Sequence, residues 1–263
     1  MLYKFIKIFV LLNLLVISNS FIISCSNNEA KTPELLVFAP ASMSDVLPEV
    51  LENFNDQNID VIFDFGGSAI LASKISNGAP ANIYISAGVS TFEILEKNGL
   101  LNKSPETIVK NSLIVVATTE FENINTIYDI ERKEISRIAI ANPDFAPAGE
   151  YAIESLSNLG IWSKIKDKVV FGADVRSTLN YVITENSDLA IVYASDVLST
   201  SLKPLKILPI ESYSEIIYPA SIIKNSKNQE ESQKFLNHLL SKSSQEIFYK
   251  YGFNPIINIK SSK

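Results

Sequence analysis

Cysteine and histidine are nearly missing from this chain of 263 residues, which has one of each. That excludes a Cys/His zinc site and a Cys-His nucleophile pair, and a Ser-His-Asp triad would rest wholly on His238. Basic charge is also scarce: 23 Lys+Arg stand against 29 Asp+Glu, and no dense Lys/Arg run occurs. Nucleic-acid binding depends on Lys and Arg neutralising phosphates, so no nucleic-acid partner is expected. The nucleotide-cradling pattern G-x-x-x-x-G-K-[ST] is absent, so the chain itself is not expected to hydrolyse nucleotide. Past residue 23, no apolar stretch approaches the length of about 20 residues that a membrane span needs. Apolar residues make up 46% of the chain, ample for one large domain or two of ordinary size.

The first 24 residues read as a targeting segment. Lys4 and Lys7 precede an apolar stretch over 8–23, the charged and apolar regions of a secretory signal. The single cysteine closes it, in Ile22-Ile23-Ser24-Cys25. These four residues resemble the bacterial lipoprotein lipobox, which implies that Cys25 is acylated and becomes the first residue of the mature protein. Two or more acyl chains would hold the protein stably on a bilayer, on the outer face of the cell or in the periplasm. Residues 25–33 are mostly polar and without apolar period, and read as a tether.

From residue 34 the pattern alternates. Apolar runs at 34–39, 59–65, 81–87 and 112–118 read as strands, and apolar residues at helical spacing follow the first three. The alternation resumes with strands at 137–141, 169–171 and 189–193 and helices at about 147–160 and 174–184. Residues 218–223 read as a late strand, and Phe235, Leu236, Leu239, Leu240, Ile247 and Phe248 as the apolar face of one last long helix. Strands alternating with helices predict an α/β protein with mostly parallel sheets, which bind ligands at the carboxyl ends of their strands.

Those strand ends carry the candidate site: Ala41-Ser42, Gly67-Ser68, Pro147-Ala148-Gly149, Asp174-Val175 and Tyr193. Four of the five put backbone N–H groups at a helix start, where they have no intrahelical partner and sit at the positive end of the helix. Glycine permits close approach, and serine hydroxyls add donors. An acidic protein could thus hold an anion with neutral dipoles. Taken singly, Ser42, Ser68 and Asp174 read rather as N-caps, Pro147 as a first-turn proline and Tyr193 as a core or rim tyrosine.

The joint pattern resembles the molybdate-binding components of bacterial ABC importers, a family of periplasmic-type solute-binding proteins. It is carried by Leu36 to Ser42, Phe65-Gly66-Gly67-Ser68, Gly78-Ala79-Pro80-Ala81, Asn142-Pro143, Pro147-Ala148-Gly149, Asp174-Val175-Arg176, Ala190 to Asp196 and Tyr251-Gly252-Phe253. The resemblance implies two α/β lobes, 34–117 with 218–263 and 118–217, with a ligand cleft between them. It implies an oxyanion held by the Ser42 and Ser68 hydroxyls and N–H groups, the Ala148 and Val175 N–H groups and the Tyr193 phenol, with no direct metal-ion ligand. It further implies molybdate or tungstate as cargo rather than a cofactor, closure around the anion, delivery to a permease with its ATPase, and a monomer. On this reading Ser68 faces the anion and Gly66-Gly67 clear room for it. Arg176 is expected in a structural or rim ion pair. Pro40, Gly66, Gly67 and Ala69 depart from the family pattern, which keeps sulfate, or phosphate, as an alternative cargo. Two other classes compete: a surface lipoprotein without cargo, and a serine hydrolase on Ser163-x-x-Lys166, for which no companion motif follows.

Overall fold

The computed structural model describes residues 32–56, 58–198 and 200–259. The targeting segment, Cys25 and most of the tether lie outside them. The chain runs β1 (Glu34–Pro40), α1 (Val46–Glu52), β2 (Asp60–Gly66), α2 (Ser68–Ser76), β3 (Ile83–Ile85), α3 (Phe92–Lys97) and β4 (Glu106–Asn111). It continues with β5 (Leu113–Ala117), β6 (Ile138–Ala141), α4 (Pro147–Asn158), α5 (Trp162–Ile165), β7 (Val169–Gly172), α6 (Val175–Ile183), β8 (Leu189–Tyr193), α7 (Ala194–Val197) and β9 (Pro204–Ile207). It closes with β10 (Ile216–Ile222), α8 (Gln229–Leu239) and α9 (Lys242–Lys250).

These strands make two five-stranded sheets, in the orders β2-β1-β3-β10-β4 and β7-β6-β8-β5-β9. The parallel pairing expected from the alternation holds for β2-β1-β3 and for β7-β6-β8. The other two strands of each sheet join antiparallel, so the sheets are mixed. The antiparallel members belong to the two connections between sheets, from β4 to β5 and from β9 to β10.

Three sequence readings change. The strand at 113–117, assigned to the first lobe, lies in the second sheet beside β8 and β9, so the chain crosses at Ser112. All five of its residues are buried, so neither face carries a polar pattern that could betray the sheet it joins. Strands β4 and β9 were not legible, since β4 has only Ile108-Val109 as an apolar run and β9 opens on Pro204. The last long helix is two, because the Ser241 hydroxyl accepts the Ser244 N–H at 3.3 Å and caps a new start.

The tail belongs with the first sheet. Gln245 Nε2 donates to the Ile108 carbonyl at 2.7 Å, and Asn254 exchanges backbone hydrogen bonds with Lys110. Buried apolar side chains such as Leu35, Val37, Ile83 and Phe235 fill the space between sheet and helices, and Ile138, Ile140, Leu179 and Leu189 do the same in the second half.

Candidate anion site

The register of the parallel pairs aligns the strand ends. Pro40 of β1 is level with Gly66 of β2, and Ala141 of β6 with Gly172 of β7. Each strand then turns into a helical segment, so four helical starts and the end of β8 converge on one small cavity. All five residues assigned in the sequence to oxyanion binding, Ser42, Ser68, Ala148, Val175 and Tyr193, line it, with Pro40, Gly66, Gly67, Ala87, Pro147 and Asp174 among the rest. Among these lining residues there is no Lys, Arg or His.

Local sequence explains each placement. Ser42 lies in a single 3-10 turn after Pro40, whose extended backbone ends β1. Ser68 and Val175 are the first residues of α2 and α6, and Ala148 the second of α4 behind Pro147. Their N–H groups therefore lie in first helical turns, without i−4 acceptors. Asp174 acts as the cap that its sequence context allowed, its Oδ1 accepting the Ser177 N–H at 2.8 Å. Ser42, Ser68 and Tyr193 are 2%, 1% and 1% exposed, so any charge they meet is met out of water, where dipoles act strongly.

Hydroxyl partners set what each group can offer. Ser68 Oγ accepts the Ala87 N–H at 3.2 Å, which leaves its own proton to be donated. The Tyr193 hydroxyl donates to the Ala87 carbonyl at 3.2 Å, across the cleft. Burial pushes the Tyr193 phenol well above its usual pKa, so it stays neutral and keeps the proton that it gives here to Ala87.

The two halves meet around the cavity in a closed arrangement. The Ala69 N–H donates to the Phe145 carbonyl at 3.0 Å, and Ser90 Oγ donates to Glu150 Oε2 at 2.9 Å. Arg176 bridges Asp45 and Asp196 in ion pairs and is not in the lining, consistent with the rim role expected of it. The glycines, both in the lining, also bear on how the halves meet. A Cβ on Gly67 would sit 2.6 Å from the Phe145 carbonyl and 3.2 Å from that of Ala173, both in the other half. Gly67 therefore makes room for the opposing backbone, and Gly66 would meet only the Leu71 side chain, at 3.6 Å.

Sequence reasoning missed Ala87, Asn111, Tyr218 and Ser195, which hold the hydroxyls or the crossing in place. They sit in or beside strands as ordinary core positions, and nothing in their local sequence marks them. Ser163 and Lys166 are exposed and do not line the cavity, so the hydrolase motif forms no site there.

The chain matches the family described as bacterial extracellular solute-binding protein over residues 35–254. It is 34% identical over 238 residues to the putative ABC transporter substrate-binding lipoprotein YvgL of Bacillus subtilis, covering 87% of this chain and 91% of that one. It is 34% identical over 235 residues to the molybdate-binding protein ModA of Haemophilus influenzae, covering 86% and 91%. A solved substrate-binding domain of a putative molybdenum ABC transporter from Clostridium difficile superposes with a TM-score of 0.68 at 33% identity, covering 85% of this chain and 99% of that one. With two helix-flanked sheets, a cleft between them and this match over most of its length, the chain belongs to the bacterial extracellular solute-binding protein family.

Proposed function

We propose that this protein captures a tetrahedral oxyanion, molybdate and with it tungstate, between its halves and delivers it to an ABC permease with its ATPase. The observation that carries the reading is the convergence of uncharged donors from five strand ends on one cavity whose lining holds no cationic side chain. Such a site suits a dehydrated anion: first-turn N–H groups and hydroxyls supply partial positive charge, and a cation to over-bind it is missing. The names of the relatives point to molybdate and to ABC transport. The anion is cargo, and the protein works as a carrier without a resident cofactor and without catalysis.

The carrier acts outside the cytoplasm as a monomer held to the membrane through acylated Cys25. The signal pattern before that residue and the lipoprotein name of the Bacillus relative support this part of the reading.

The test is thermal unfolding of the full-length protein with millimolar molybdate, tungstate, sulfate or phosphate. A ligand at 1,000 times its dissociation constant adds about 4 kcal/mol to stability, a rise of several degrees. A rise with molybdate and tungstate that is lost in the Ser68→Ala/Tyr193→Phe double variant supports cargo and site together. A rise confined to sulfate or phosphate changes the cargo, and no rise with any oxyanion overturns the carrier reading.

A further inference from the structure

Ser42 is gripped from behind. Its Oγ lies 2.8 Å from the hydroxyl of Tyr218, a fully buried residue of β10. The same phenol oxygen accepts from Asn111 Nδ2 at 3.1 Å. The orientation of that amide is fixed by the backbone, since Asn111 Oδ1 accepts the Ser112 N–H at 2.9 Å and a peptide N–H can only donate. Asn111 therefore turns its Nδ2 hydrogens to Tyr218 and to Ser195 Oγ, 2.9 Å away.

Proton counting then decides the remaining bond. Burial holds the Tyr218 phenol well above its usual pKa, so it keeps its proton. Were Ser42 the donor, Tyr218 would accept twice and leave that proton buried without an acceptor among the described residues, at a cost of about 1–3 kcal/mol. Tyr218 must donate to Ser42. The acceptor side of Ser42 Oγ is then filled, and its own O–H is the group left for the cavity it lines. Ser68 reaches the same state by a different route, through the Ala87 N–H.

We propose that Tyr218 and Asn111 are positioning residues, which commit the Ser42 hydroxyl to donate toward an acceptor-only ligand and link that commitment to the other half of the protein through Ser195. This rests on the oxyanion reading above. Asn111 ends β4 at the crossing between sheets, and Ser195 lies in α7, two residues after Tyr193. The chain Ser42, Tyr218, Asn111, Ser195 thus joins a cavity serine of one half to the helix beside the cavity tyrosine of the other.

The test is calorimetric titration of molybdate into full-length wild type, Tyr218→Phe, Ser42→Ala and the double variant. Tyr218→Phe keeps the ring that packs edge-on against Tyr193 and Phe253 and removes only the hydroxyl. We expect its dissociation constant to rise roughly tenfold, and the double variant to bind no more weakly than Ser42→Ala alone, because Tyr218 acts through Ser42. Asn111→Ala, which removes the amide that holds the Tyr218 hydroxyl in place, should show the same dependence on Ser42 and serves if Tyr218→Phe folds poorly. Unchanged affinity in Tyr218→Phe, or an equal loss with and without the Ser42 hydroxyl, overturns this proposal alone. A wild type that binds no oxyanion overturns the carrier reading and this proposal with it.

Discussion

Arg176 Nη2 lies 2.8 Å from Asp45 Oδ2, an ion pair between α6 of one half and the residue that precedes α1 of the other. Behind it, Arg176 Nε stands 3.1 Å from Oδ1 of Asp196, which is wholly buried. A single guanidinium thus touches a carboxylate of its own half and one across the cleft. It holds the halves together at the rim while the cavity lining stays free of cations.

The cross-cleft pair should contribute modestly to ligand capture. Both side chains are partly exposed, and such pairs give about 0.2–1 kcal/mol. Asp45→Ala should weaken oxyanion binding by a factor of about two to five at low salt. The difference should shrink in 1 M salt, where screening falls to about 3 Å. Titration at the two salt concentrations checks this, and a salt-independent loss would remove the latch role.

Asp196 makes stability depend on pH in an unusual direction for a carboxylate. Burial pushes its pKa up to about 7, with the Arg176 charge and the Tyr193 N–H pulling the other way. An unfolded aspartate ionises near 3.9, so between about 4 and 7 the folded state holds a proton that the unfolded state has lost. The contribution is full below about 4 and disappears as pH rises through 7. Asp196→Asn cannot lose that proton, so its melting temperature relative to wild type should climb from pH 5 to pH 8. A constant difference across that range would contradict the shift.

Gly67→Ala should separate binding from folding. The backbone of Gly67 is in ordinary extended geometry, φ −63° and ψ 131°, which alanine adopts without strain. The added methyl would stand 2.6 Å from the Phe145 carbonyl only when the halves are closed. We expect a melting temperature for the unliganded protein within about 2 °C of wild type, because the chain-entropy gain is below about 1 kcal/mol. Oxyanion affinity should fall at least tenfold, since closure is blocked. Calorimetry and thermal unfolding on the same sample report both quantities.

Gly149→Ala should do the reverse. Its methyl would collide with the Ala141 carbonyl, within one half, where α4 packs against β6. Overpacking of that kind costs about 1–3 kcal/mol, or several degrees in melting temperature, with or without ligand. A variant as stable as wild type would show that α4 can shift away from β6.

The alternation of apolar runs and helical spacing determined the α/β class, because a strand with a buried face and an amphipathic helix each leave a local periodicity. The strand-end residues also stood out locally: Ser42, Ser68, Pro147-Ala148 and Asp174-Val175 are helix-start chemistry wherever they occur. What local pattern could not carry was which sheet a fully apolar strand joins, as at 113–117, or that Ser241 divides the last helical stretch. Only the tertiary structure brought the five strand ends around one cavity and gave Gly67 its partner in the Phe145 carbonyl, 78 residues on in the chain. It alone set Tyr218 and Asn111 behind Ser42, since hydrogen bonds spanning 176 and 107 residues leave no trace in local spacing. A side chain's neighbours along the chain select its backbone conformation, whereas the direction in which its hydroxyl donates depends on partners that folding brings from elsewhere.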